Sequence, residues 1–478
     1  MFKYMKKNAD FYAEMKRRRH EIFGLNAKAI VTHLVGLLLL IWTQAAMFHH
    51  HRNATHADWD SPVWADASGY YMYLPCWIVY GGSEAANFPK DAGKNMGDGF
   101  KPKEGTPFMF TKYPSGVAFL SAPFYWVAHQ LAGPFGFARD GFSPIYIWSF
   151  MFSTAFYGCL GLWALLLFLR RYFSLVVTIG VVLLLHSGTN LFYYMLKDIG
   201  YAHPFGFGLL ALLLLCVRRF YDRPAWPRFL PIGVLMALLI LLRPTNALMA
   251  VVIFAYDFDD WRPRLQFWLR RWPYLIYMAA CLLLVGLPQM LFWKTVTGHW
   301  LAYSYGDEGF IYWYEPKIAF VLFAANNGWL AWSPLMMLPL WGLYLMRTQP
   351  NFRLYAWLPA CALYLAAAWW SPNFGCSFGM RMMIDFYPLL AMPLAFALAY
   401  ILSPWNQLTF HPNSVTISGS YAWLKLGLST LLLLIIVLVY RENLYATYKY
   451  PGCWFHKDWD YQHYLMDYWR IDVIDKEP

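Results

Sequence analysis

The sequence predicts an all-α membrane protein, a polytopic helical bundle of about eleven transmembrane helices with further helices along the interface in its first outer loop. Three observations predict it. Hydrophobic residues make up 59% of the chain and charged residues only 14%, against about 25% charged in soluble domains. Apolar runs near the length that crosses a bilayer, about 20 residues, recur from end to end. Basic residues gather in alternate connections, the signature of a positive inner face.

The spans fall at 28–48, 145–169, 173–196, 200–217, 229–242, 245–257, 273–293, 318–346, 354–370, 386–402 and 422–440. The fifth and sixth are short and separated by Arg243-Pro244, as two tilted half-length helices or one kinked unit. With the N-terminus in the cytoplasm, the inner segments hold 21 of the 38 Lys and Arg and 7 of the 27 acids. The inner side then carries +14 and the outer side −3. This asymmetry accounts for the net charge of +11 without a nucleic-acid partner. Residues 1–27 form a basic cytoplasmic segment, 28–440 the transmembrane domain with its outer loop at 49–144, and 441–478 a short extracytoplasmic tail. Met1 to Lys28 is long, basic and acid-containing before the first apolar run, which argues against a cleavable signal peptide.

The chain is organised around Asp58 to Leu74, which opens the longest polar interval. Asp58, Asp60 and Asp66 lie there, and Asp66 precedes Gly69, Tyr70, Tyr71 and Tyr73. An acid just outside a membrane helix, with aromatic rings behind it, suits a general base at the water–lipid boundary. Asp58 and Asp60 flank Trp59 in a segment read as extended and solvated. Tyr70 and Tyr73 instead share a helical face with Asp66. Trp64 to Tyr80 and Ala118 to His129 read as interfacial helices, and Asn87 to Gly105 as an exposed flap. Such helices would funnel a lipid-linked molecule towards Asp66, or merely cover the bundle.

Other polar groups recur at outer span ends, where they are costly and tend to serve function. They include Lys197, Asp198 and His203, Arg243, Asp307 and Glu308, Asn327, and the stretch Gly375 to Asp385 with Arg381. Arg243 and Arg381, with Lys197 and Lys112 behind them, suit a phosphate-linked substrate, because guanidinium clamps phosphate oxygens in pairs. Ion pairs of Arg381 with Asp385 and of Lys197 with Asp198 are the plainer alternative. His49, His50, His51 and His56 lack zinc-type spacing and read as a polar juxtamembrane stretch. Asn53-Ala54-Thr55 is a glycosylation sequon by pattern only. Cys159, Cys216, Cys281 and Cys361 read as small buried hydrophobes, while Cys76, Cys376 and Cys453 fall outside, where one disulfide can form.

Four stretches together resemble the GT-C superfamily of polytopic glycosyltransferases. The likeness is to the branch of protein O-mannosyltransferases, lipid A aminoarabinose transferases and lipopolysaccharide galacturonosyltransferases. They are Asp66-x-x-Gly69-Tyr70-Tyr71-x-Tyr73-Leu74-Pro75, Lys112-Tyr113-Pro114-x-Gly116 with Pro123-Phe124, Asn327-Gly328-Trp329-Leu330-Ala331-Trp332-Ser333-Pro334, and Gly375-x-Ser377-Phe378-Gly379-x-Arg381. The resemblance spans about residues 25–400. It implies a polyprenyl-phosphate-linked sugar donor, a glycan, lipid or protein acceptor, and inversion at the anomeric carbon. The site would lie on the periplasmic or outer face of the cytoplasmic membrane. Asp66 matches the catalytic acid of the family's first outer loop. Many relatives follow it with Glu where this chain has Ala67, which leaves Asp58 or Asp60 as substitutes. The reading requires no cofactor and stays compatible with a divalent cation. A non-catalytic subunit on the same scaffold and a transporter or flippase of lipid-linked sugars are the competing functions. Polar groups gathered at one face, with no apparent internal repeat, weigh against the transporter.

Overall fold

The computed structural model describes residues 27–54, 61–257, 260–375, 377–405, 408–411, 414–417, 421–450 and 461–470. Asp58 and Asp60, Cys376 and Cys453 lie outside the described residues, as does the basic segment 1–26.

The chain begins with α1 (Ala27–His50). The first loop contains α2 (Asp66–Tyr71), α3 (Tyr73–Ile78), the two-stranded β1 (Lys101–Pro102) and β2 (Met109–Phe110), and α4 (Gly116–Ala132). Then follow α5 (Pro144–Leu169), α6 (Leu175–Ser187), α7 (Leu191–Leu196), α8 (Ala202–Asp222), α9 (Trp226–Leu242), α10 (Ala250–Ala255), α11 (Trp261–Leu269) and α12 (Trp272–Thr297). The last part holds α13 (Ile318–Phe323), α14 (Trp329–Trp332), α15 (Met337–Leu345), α16 (Phe352–Ala368), α17 (Tyr387–Leu402), α18 (Ala422–Lys449) and α19 (Tyr461–Asp467). A short hairpin, Leu408–His411 with Ser414–Ile417, precedes α18.

Among the described residues, six helices are long and apolar enough to cross a membrane, and five shorter apolar helices accompany them. This is the polytopic all-α fold that the hydropathy pattern predicts. Its centre is α8, packed between α5 and α9, and α12 backs α9. α17 packs on α6 and α15. α12 and α18 keep most of their apolar surface exposed, as expected of helices that face lipid.

Two predicted spans are interrupted for local reasons. The run 173–196 divides into α6 and α7 at Gly188-Thr189-Asn190. The run 318–346 divides into α13, α14 and α15. Asn327 takes a left-handed φ of 68°, and Ser333, ahead of Pro334, leaves the helical region with a φ of −138° and a ψ of 64°. The same rule acts at Arg243, whose φ of −154° and ψ of 128° precede Pro244 and end α9. A 3-10 turn, Pro244–Met249, then leads into α10.

The first loop departs from an interfacial arrangement. Tyr71, Tyr73 and Leu74 are fully buried within the protein, because α3 packs on α4 and α4 on α5. Residues 87–105 are not a free flap. Phe88, Ala92, Met96 and Phe100 bury themselves, and the β1–β2 ladder ties the segment down, while its Lys and Asp side chains face out. α4 fits the interfacial reading, with Phe119, Trp126, Val127 and Leu131 exposed along it. α18 runs on beyond the predicted end at 440, and its last turns bury Asn443 and Thr447. Asn443 Nδ2 donates to the Trp332 carbonyl and the Tyr468 hydroxyl, both at 2.9 Å, docking α19 against α14.

Candidate active site

Asp66 is the first residue of α2, and the polar loop behind it sets its position. Ala65 N–H donates to the Met96 carbonyl at 2.9 Å, holding Ala65 at a φ of 49° that L-residues rarely adopt. Such strain, held by surrounding structure, concentrates at functional sites. The Asp66 carboxylate is 28% exposed and uses both oxygens. Oδ1 accepts from the Tyr113 hydroxyl, and Oδ2 accepts from Arg381 Nη2 at 2.8 Å.

Each partner is itself held. Gln289, buried in α12, donates from Nε2 to the Tyr73 hydroxyl at 3.2 Å and accepts the Ser115 N–H at 2.7 Å. Tyr73 in turn donates to the Tyr113 carbonyl at 2.8 Å. Burial and then the Asp66 charge push the Tyr113 phenol well above its usual range, so it acts as a donor. Arg381 begins the 3-10 turn Arg381–Phe386, which runs straight into α17. The guanidinium lies 4.8 Å from the centre of the Tyr201 ring, a cation–π distance.

Around Asp66 opens a cleft of about 230 Å³. Tyr70, Tyr113, Tyr201 and Tyr305 line it with Trp369, Trp370 and Phe374. Its charged groups are Asp66, Lys112, Arg243, Glu308 and Arg381, with His203 beside them. Lys112 Nζ meets Glu308 Oε1 at 2.5 Å across the mouth. A second cleft of about 430 Å³ adjoins the first at Asp66 and Tyr113, lined also by Asp98, Lys101, Thr111 and Ser304. Asp66, Lys112, Tyr113 and Tyr305 belong to both. The carboxylate therefore lines both an aromatic, cationic chamber and a second one bearing Asp98, Lys101, Thr111 and Ser304.

The structure brings Asp66, Tyr70, Lys112, Tyr113, His203, Arg243, Glu308 and Arg381 together. Others stand apart. Lys197, expected behind the arginines, instead donates to the carbonyls of Tyr448 and Tyr450 at 2.8 and 2.7 Å, capping the end of α18. Burial lowers its ammonium to about 8. Asp198 is partly buried behind the cleft, and burial raises its carboxyl to about 6. Tyr71 is fully buried and donates to the Gly141 carbonyl at 2.6 Å. Asp307 is exposed beyond the cleft. Asn327 is buried beneath it, donating to the carbonyls of Asn373 and Gly375 at 2.8 and 2.9 Å and accepting from Gly379 N–H. It pins the loop that delivers Arg381.

Two expectations need correction. Arg381 pairs with Asp66, not Asp385, and it is Arg243 that approaches Asp385, at 3.6 Å. Tyr73 does not wall Asp66, because α2 gives way to α3 at Met72 and the ring turns towards Phe292, 4.8 Å away. Asp60 lies outside the described residues. Sequence reasoning also passed over Tyr201 and Gln289. Neither sits in a motif, but a lone Gln in the apolar run 273–293 is the kind of polar group that marks a tether.

No family model and no curated protein matches the chain. Solved structures do. The Archaeoglobus fulgidus oligosaccharyltransferase tethered to an acceptor peptide aligns over 86% of this chain and 55% of its own, with a TM-score of 0.50 and 13% identity. The A. fulgidus enzyme AglB, in complex with an inhibitory peptide and a dolichol-phosphate, gives 0.48 and 13% over 86% and 56%. ArnT from Cupriavidus metallidurans bound to undecaprenyl phosphate gives 0.45 and 14% over 88% and 74%. The chain thus shares the membrane fold of the tethered oligosaccharyltransferase, and it spans little more than half the length of that chain.

Proposed function

We propose that the protein is a glycosyltransferase that moves a sugar from a polyprenyl-phosphate donor to an acceptor hydroxyl at the outer face of the cytoplasmic membrane. The observation that carries the reading is the Asp66 carboxylate, anchored by Arg381 at 2.8 Å and by Tyr113, at the junction of two clefts. Asp66 serves as general base. It takes the proton of the acceptor hydroxyl, whose oxygen attacks the anomeric carbon as the lipid phosphate leaves from the opposite side, with inversion. Arg243, the more cleft-facing guanidinium, and Lys112 meet the departing phosphate. Arg381 holds the base in register.

The aromatic chamber suits the lipid-linked donor, because rings offer platforms to sugars and isoprenoid chains. The second chamber offers Asp98, Lys101, Thr111 and Ser304 as hydrogen-bonding groups for a hydroxylated acceptor. The purified protein, given polyprenyl-phosphate hexoses and pentoses in turn, is expected to release free polyprenyl phosphate and glycosylate an added acceptor. Binding of donors without turnover of any would return the protein to a non-catalytic subunit. Donor transport across liposomes without bond cleavage would make it a flippase.

A further inference from the structure

Asp385 lies in the 3-10 turn that starts with Arg381 and is 1% exposed. Its Oδ2 stands 2.9 Å from His203 Nδ1 and 3.6 Å from Arg243 Nη1. Its Oδ1 is buried with no hydrogen-bond partner among the described residues. That oxygen lies against α8 at Gly206, where an added Cβ would come within 2.0 Å of it. A buried carboxylate with an unsatisfied oxygen costs free energy that an apolar residue of similar shape would not. The two groups it faces, His203 and Arg243, both line the cleft, whereas Asp385 does not.

We propose that Asp385 is a positioning residue that sets which atoms His203 and Arg243 offer to the donor. The proposal rests on the glycosyltransferase reading. Arg243 Nη1 and His203 Nδ1 are 3.4 Å apart. Guanidinium only donates; with the proton on Nδ1, that N–H donates to the carboxylate, and the two groups are held by the shared acid and not by a bond to each other. The carboxylate thereby fixes the imidazole tautomer and leaves Nε2 as an acceptor. Nε2 has no partner among the described residues. Arg243 offers N–H donors, and His203 beside it offers a lone pair. A phosphate oxygen satisfies the first and a hydroxyl of the transferred sugar the second. The pair therefore reads the junction between phosphate and sugar, not the lipid.

Asp385→Asn keeps the shape and removes the charge, while Asp385→Leu removes the buried acid altogether. Each is compared with the wild-type protein for undecaprenyl monophosphate binding, for donor and acceptor KM, and for thermal stability in detergent. The expected result is a donor KM and a monophosphate Kd raised at least 10-fold, with acceptor KM kept and the Asp385→Leu melting temperature not lowered. Unchanged monophosphate binding and donor KM in folded variants would overturn the proposal. So would loss of the folded protein in both, which would assign Asp385 to the scaffold. Should the wild-type protein turn over no donor, the enzymatic reading fails, and monophosphate binding still decides the role of Asp385.

Discussion

Asp66 meets partners 47 and 315 positions away, Tyr113 and Arg381, and that separation explains what the sequence could and could not disclose. The types of residue were legible, since an acid, a Tyr and an Arg each stand beside a turn at a span end. The pairings were not, because they depend on how distant helix ends meet. Arg243 shows the legible side: Pro244 forces it out of α9 into an extended conformation at the cleft. Arg243→Ala should raise donor KM about 10- to 150-fold, the equivalent of about 1.5–3 kcal/mol for a charged hydrogen bond. Donor titration of turnover by the folded variant checks this. Asp198 provides a test by pH. Burial raises its folded carboxyl to about 6, above the usual unfolded value near 3.9. Between those values the folded state holds the extra proton, so this group favours folding at low pH and opposes it as pH rises through about 6. Asp198→Asn should therefore melt above the wild-type protein at pH 7.5, with the advantage gone near pH 4. Thermal melts in detergent across that range decide it.

At the scale of elements, the site depends on helices meeting closely. α4 begins against the end of α9, and a Cβ on Gly116 would stand 2.5 Å from Leu242 N and 2.6 Å from the Leu241 carbonyl. Backbone cannot yield as a side chain does, so Gly116→Ala must move the turn that presents Arg243. The expected outcome is a folded protein with weakened donor binding, read as a raised donor KM at normal expression. Hydropathy foresaw the helices because each apolar run reports its own burial. It missed the breaks at Ser333-Pro334 and Thr189-Asn190, which long apolar runs conceal. It also misjudged 87–105, whose buried anchors Phe88, Met96 and Phe100 are spaced among charged residues.

At the scale of the whole molecule, the proposed outer-face site rests on the charge distribution, +14 on the side expected in the cytoplasm against −3 on the other. Lys449, exposed at the end of α18, then faces out. A Lys449→Cys variant should be labelled by an impermeant thiol reagent in intact cells, and protection of that site would reverse the topology. Asp66→Asn keeps the side-chain shape and removes the basicity, so it isolates the role proposed for Asp66 as base. Release of polyprenyl phosphate from a polyprenyl-phosphate sugar by purified wild-type and variant protein is the measurement. The account predicts a loss of at least the roughly 10²–10⁴-fold typical of general-base removal, with undecaprenyl monophosphate binding retained. Turnover near that of the wild-type protein would contradict it.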